Sequence, residues 1–220
     1  MCGRYTVIAP APALAERFSA REVPTPPPNF NAAPSQALPI ITNAAPGQIQ
    51  LVRWGLVPSW SRDPASGPKP INARAETLAE KPSFRQLLAR RRCLVLADSF
   101  YEWQATERGK IPHRILLKSE EPFAFAGLWD EWLDRDTGEL QPTFTIITTE
   151  PNELMARIHN RMPVILPGPD AERAWLADDL APAAHQQLLV PYDTALMKEY
   201  VITTRVNSPA HNDPEVLAAL

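Results

Sequence analysis

Two cysteines in 220 residues, Cys2 and Cys93, are too few for a disulfide framework. Together with four histidines at scattered positions they do not compose a cysteine-rich zinc site, which needs four ligands at short separations. Nothing in the chain calls for a metal or an organic cofactor. No apolar run reaches the ~18 residues of a membrane helix. Arg4 precedes an apolar stretch, Tyr5–Ala15, that ends in Ala-Leu-Ala, but Pro10 and Pro12 interrupt it, which reads against a cleaved leader. Only 8 glycines are present, with no G-X-Y period, so collagen is excluded. Internal repeats are also lacking. These absences lead us to expect a protein of a reducing compartment, cytoplasmic or, in a bacterium, nucleoid-associated, with no membrane partner.

Proline is abundant instead, with 25 residues, about twice the usual ~5%. Prolines cap short elements and argue against a bundle of long helices. A hydrophobic content of 45% with 21% charged residues suffices for a buried core. No linker divides the chain, so a single domain over residues 1–220 is expected, monomeric by default. The net charge of −3 hides an asymmetry: residues 1–119 hold 16 Lys/Arg and 8 Asp/Glu, whereas residues 120–220 hold 6 and 17. An acidic total is no obvious signature of nucleic-acid binding. The field at a groove, however, is set by the charges beside it. Arg53, Arg62, Lys69, Arg74, Arg85 and Arg90-Arg91-Arg92 lie in the basic half. The run from Arg85 to Arg92 reads as the solvated face of a helix. Scattered arginines beside Trp54 and Trp60 suit a single-strand groove, where cations follow the backbone and aromatic rings stack on bases.

Patterning yields many short strands: 4–8, 38–42, 49–54, 93–97, 100–104, 113–118, 122–128, 143–149, 163–166 and 200–205. The pair 38–42 and 49–54, separated by Asn43–Gly47, predicts a hairpin. Short helices are expected at 13–19, 83–92, 151–158, 170–176 and 183–189, with a helical tail at 214–220. Pro24-Thr25-Pro26-Pro27-Pro28 reads as a polyproline II connector. The fold class is therefore α+β, a mostly antiparallel sheet or barrel with short peripheral helices.

Chemistry begins at Cys2. Loss of Met1 would leave an α-amine and a thiol on one residue. The α-amine titrates near ~7.7–8.0, so roughly a seventh is neutral at pH 7. A neutral amine attacks an aldehyde to give an imine, and the adjacent thiol closes onto it as a thiazolidine with high effective molarity. The plain alternative is an incidental cysteine at a frayed end. Glu102 sits among aromatics in Asp98-Ser99-Phe100-Tyr101-Glu102-Trp103; as a strand, Phe100, Glu102 and Gln104 share one face. Such a carboxyl suits acid–base work, or pairs structurally with Arg74. Asn72 and Arg74 lie in Ile71-Asn-Ala-Arg-Ala-Glu76. His159 lies where a helix should end before a proline-led strand, a junction where functional loops are common, although a lone histidine is more often structural.

Taken in order, Met1-Cys-Gly-Arg-Tyr5, Asn31-Ala-Ala-Pro34, Trp54-Gly-Leu-Val-Pro-Ser-Trp60, Ile71–Glu76, Arg92–Trp103, Phe123–Trp129, Thr148-Thr149 and Ile158-His-Asn-Arg-Met-Pro163 resemble the SRAP (SOS response-associated peptidase) family of abasic-site processing proteins. The resemblance covers most of the chain. It implies a covalent thiazolidine between Cys2 and the ring-opened aldehyde of an abasic site in single-stranded DNA. It implies that Asn72 orients the cysteine and the sugar, that Glu102 handles protons and that His159 acts as an acid. Thr148 falls at a contact position, Arg4, Arg74 and Arg161 at phosphate positions, and Pro34 and Trp60 at positions lining a kinked strand. The segment Thr203–Ser208 follows the family pattern only loosely, which leaves Asn207 without a role. Two rival readings remain: a cysteine peptidase using Cys2 and His159, including self-removal of the leading residue, and a non-catalytic single-strand binder using Trp54, Trp60 and arginines.

Overall fold

The computed structural model describes residues 2–21, 24–62 and 67–220; the expected loss of Met1 lies outside them. Twelve strands run among the described residues: β1 (Tyr5–Val7), β2 (Asn29–Ala32), β3 (Ala37–Thr42), β4 (Gln50–Trp54), β5 (Asn72–Arg74), β6 (Arg92–Ala97), β7 (Ser99–Thr106), β8 (Gly109–Leu117), β9 (Phe123–Leu133), β10 (Leu140–Thr149), β11 (Met162–Pro163) and β12 (Met197–Val201). The helices are α1 (Ala11–Phe18), α2 (Pro82–Arg90), α3 (Glu153–Ala156), α4 (Pro169–Leu176) and α5 (Pro182–Gln187). All but α3 carry proline in the first turn, where its missing N–H has no intrahelical partner to lose. Helix α3 starts instead at Asn152, whose side chain accepts from the Met155 N–H. The α+β class with short helices is what the proline content predicts.

Two sheets build the core. One is antiparallel throughout, in the order β12-β8-β7-β1-β2. The other runs β11-β10-β4-β3-β6-β9, and β9 returns to pair with β10, so β4, β3, β6, β9 and β10 close a ring. Closure leaves no open edge within those five strands. The expected hairpin is present as antiparallel β3 and β4. Strand β5 follows β4 along the same side of β10, and both pair with it in parallel. Alternation along β7 separates two cores: Phe100 enters the main core with Tyr5, Trp54, Phe125 and Phe144, whereas Tyr101 packs with Ile202, Val206 and Val216.

Three expectations change. The helix over 83–92 ends at Arg90, and Arg92 opens β6 fully buried rather than solvated. Its guanidinium donates to the carbonyls of Leu88, Trp175 and Ala177 and to Asp178, so backbone acceptors cage the charge. Arg91 is likewise engaged, paired with Glu131 and lying over the Trp129 ring. The last strand ends at Val201, and residues 204–207 form a 3₁₀ turn. Trp54 is 1% exposed, between Tyr5 and Phe144, with its Nε1–H donated to the Ile71 carbonyl. A ring so enclosed cannot stack on a base, which removes it from the single-strand groove.

Candidate functional site

Cys2 sits just before β1, wholly buried in the main core. Strand β1 pairs with β7 through Tyr5 opposite Phe100 and Thr6 opposite Ser99, and the Tyr101 N–H donates to the Arg4 carbonyl. Extending that register brings the Cys2-Gly3 segment alongside Glu102. The two groups feel each other: burial first, and then the Glu102 charge, push the Cys2 thiol well above its usual range. Cys2 is therefore a thiol, not a thiolate, at neutral pH. Its carbonyl accepts from Asn72 Nδ2 at 2.8 Å. The Asn72 Oδ1 is buried and takes no hydrogen bond from a described residue.

Asn72 opens β5, where Asn72, Ala73 and Arg74 lie opposite Ile146, Ile147 and Thr148 of β10. Thr148 is buried, and its carbonyl accepts from Arg161 Nη2 at 2.7 Å. Arg161 also forks onto Glu76, at 2.7 and 2.9 Å, and holds that carboxyl below its usual range. The Arg161 N–H donates to His159 Nδ1 at 3.0 Å. A ring nitrogen that accepts carries no proton, so in the neutral ring the proton resides on Nε2. Gln104, on the Glu102 face of β7, donates to the Arg157 carbonyl at 2.9 Å and ties the end of α3 to the first sheet. Contacts thus run in a circuit: Cys2 to Asn72, along β5 to Thr148, through Arg161 to the His159 turn, then by Gln104 back to the strand of Glu102. Of the expected residues, Asn72 bonds to Cys2 and the Glu102 charge acts on it, while Thr148, Arg161 and His159 join through that circuit.

The other candidates have different partners. Arg4 donates to Asn31 Oδ1 and to the carbonyls of Val206 and Asn207, which fastens the C-terminal segment. Asn207 also accepts from Trp103 Nε1, so it holds the same strap. Arg74 ends β5 with its side chain exposed, and among the described residues it is Arg161, not Arg74, that forms an ion pair at this end of the site, with Glu76. Pro34 is half-buried in the turn between β2 and β3. Trp60 is 72% exposed, at the border of two clefts of about 490 and 430 Å³. Arg62 and Lys69 line the first, Arg90 and Arg91 the second. Strand β9 pins its loop on both sides: Asp130 accepts from the Ser59 N–H, and Trp132 donates to the Ser61 carbonyl. Gln104 and Glu76 are the site residues that sequence reasoning passed over. The alternation that grouped Phe100, Glu102 and Gln104 was the signal for Gln104, while the partner of Glu76 lies 85 residues away and left none.

A family model described as SOS response associated peptidase (SRAP) matches residues 1–209. The abasic site processing protein YoqW of Bacillus subtilis is 47% identical over 225 residues and covers 99% of each chain. The abasic site processing protein HMCES of Xenopus tropicalis is 32% identical over 224 residues, spanning 88% of this chain and 66% of its own. A crystal structure of a protein from Bacteroides thetaiotaomicron matches with a TM-score of 0.91 at 35% identity, and both chains are covered in full. With these matches over nearly its whole length, the chain belongs to the SOS response associated peptidase family.

Proposed function

We propose that this protein processes abasic sites, binding single-stranded DNA and joining covalently to the lesion through Cys2. The observation that carries the reading is that Asn72 and Glu102 bear directly on a buried cysteine one residue from Met1, with the His159 turn linked to them through Arg161, Thr148 and Gln104. The relatives named abasic site processing proteins support the same class of lesion. Once Met1 is removed, by self-cleavage or otherwise, the Cys2 amine attacks C1′ of the ring-opened sugar. Water leaves and an imine forms. The thiol then adds across the C=N bond: the S–C bond forms and the thiol proton passes to nitrogen, closing a thiazolidine. Because burial keeps the thiol protonated, the amine leads and sulfur follows, an order unlike that of a thiolate peptidase. Glu102 takes and returns the proton of the attacking amine. His159 Nε2–H serves as the donor for ring opening and water loss. Asn72 fixes the cysteine carbonyl through Nδ2 and offers Oδ1 to the amine or the sugar.

Single-stranded DNA with one abasic site, incubated with the protein and run on a denaturing gel, is expected to give a heat-stable shifted band that Cys2→Ala abolishes. Glu102→Gln should slow its appearance at neutral pH more than Arg74→Lys does. Equal slowing by the two would remove the proton role of Glu102, and a band that survives Cys2→Ala would remove the reading itself.

A further inference from the structure

His113 is a buried ionisable group next to this site that the chemistry above does not use. It lies on β8 directly opposite Glu102 on β7. Directly opposed residues of an antiparallel pair project from one face, with Cβ atoms about 4.5–5.5 Å apart. That face is the inner one, because the next pair in the same row, Ile115 and Phe100, is wholly buried in the main core. His113 itself is 6% exposed.

The sheet order fixes which neighbour holds one edge of the ring. His113 Nδ1 lies 2.7 Å from Glu199 Oε2, and Glu199 belongs to β12, on the side of β8 away from β7. The two ring nitrogens project from opposite edges of an imidazole. A ring whose Nδ1 meets β12 leaves Nε2 free of that strand, on the face that Glu102 shares. Nε2 is buried and meets no hydrogen-bond partner among the described residues. Leaving such an atom unsatisfied is costly, and unsatisfied groups in native folds cluster where function needs them. The ionisable groups facing the ring are Glu102 from β7 and Glu199 from β12, with Cys2 beyond Glu102.

We propose that His113 is a positioning residue for Glu102: Glu199 anchors Nδ1, and Nε2, which makes no hydrogen bond to the described residues in this structure, closes onto the carboxyl group of Glu102 across the strand pair during the reaction and then fixes its orientation and its proton. When the ring carries both protons, Nε2–H donates to the ionised carboxylate. When the ring is neutral with its proton on Nδ1, Nε2 accepts from the protonated carboxyl. One proton is thus shared along Glu199–His113–Glu102, and no bond to carbon changes. This inference rests on the reading of Glu102 as the proton carrier of adduct formation.

The test follows adduct formation on an abasic oligonucleotide from pH 5.5 to 8.5 for the full chain, His113→Gln, Glu199→Gln and the double variant, with binding read on native gels. His113→Gln should slow the adduct about tenfold, as for one lost charge-assisted hydrogen bond, leave binding unchanged and move the acid limb of the profile to higher pH. Glu199→Gln should move it the same way, and the double variant no further than His113→Gln alone. A wild-type rate and profile in His113→Gln would overturn the inference while leaving the wild-type adduct, and so the function, intact. A second measurement does not depend on activity: nitrogen-15 spectra of the imidazole rings in the wild type and in Glu102→Gln. His113 Nε2 should shift when the carboxyl becomes an amide, and an unmoved resonance sinks the proposal even if wild-type protein forms the adduct.

Discussion

At the scale of single residues, the tightest constraint is at Gly127. An added Cβ there would stand 2.8 Å from Cys93 Sγ, 2.9 Å from Val95 Cγ2 and 3.0 Å from the Thr145 carbonyl oxygen. The last is backbone of a paired strand and cannot swing aside. Gly127→Ala is expected to destabilise the fold by about 1–3 kcal/mol, the usual penalty of overpacking. Urea titrations read this directly, and an unchanged midpoint would mean that β9 moves freely against β6 and β10. Arg92 illustrates the opposite limit of sequence reading. In a run of three arginines it looks like its neighbours, and only the long-range carbonyls of Trp175 and Ala177 make it a core residue. Cys2 and Glu102 were legible because their types are chemically specific and because Glu102 shares an alternating face with Phe100. The circuit that joins them to His159 was not, since it passes through backbone carbonyls of distant strands.

Among the elements, the legible ones are those whose local pattern already matches their tertiary role. The β3–β4 hairpin and most other long strands fall where their apolar patterns place them. Strands β2 and β5 were missed: each is short, and β5 exists only because Asn72–Arg74 adds in parallel to β10. That pairing carries Asn72 to Cys2, so the element hardest to read is one the site depends on. Helix α5 makes a separate prediction. Its His185 is buried, edge-on to Trp175, with Nε2 at 3.0 Å from the Ala177 carbonyl. Burial first, and then the Arg92 charge, hold its pKa below the usual 6.5. In the pH window between the lowered value and 6.5 the unfolded chain binds more protons than the native one, so stability falls as pH falls. Urea midpoints should therefore drop between pH 7.5 and 5.5, and the drop should be smaller in His185→Gln. A drop of equal size in that variant would assign the acid sensitivity to other groups.

On the scale of the whole molecule, the charge asymmetry and the exposed tryptophan bear on one question, how a protein of net charge −3 would hold the polyanion that the proposed function requires. The residues on either side of Trp60 are tied to β9, the Ser59 N–H to Asp130 and the Ser61 carbonyl to Trp132, which anchors the backbone that presents the exposed ring. Arg62 and Lys69 line one flanking cleft and Arg90 the other, and all three make no ion pair among the described residues. A cationic rim around an exposed aromatic ring separates two contributions that single-strand binding would combine. Phosphate contacts depend on salt, because each releases condensed counterions. Stacking of a base on an indole does not, and is worth about 1–3 kcal/mol. Binding to an unmodified oligonucleotide, measured by fluorescence anisotropy at several salt concentrations with Cys2→Ala to exclude covalent capture, tells the two apart. Trp60→Ala should weaken binding by that amount at every salt concentration and leave the slope of log K against log salt unchanged. Arg62→Ala and Arg90→Ala should each make the slope shallower by about 0.7, with losses that shrink as salt rises. A Trp60→Ala variant that binds like wild type would move the strand off this platform. An unaltered slope in both arginine variants would place the DNA on a different face of the molecule, with Arg53 and Arg74 the next exposed cations to test.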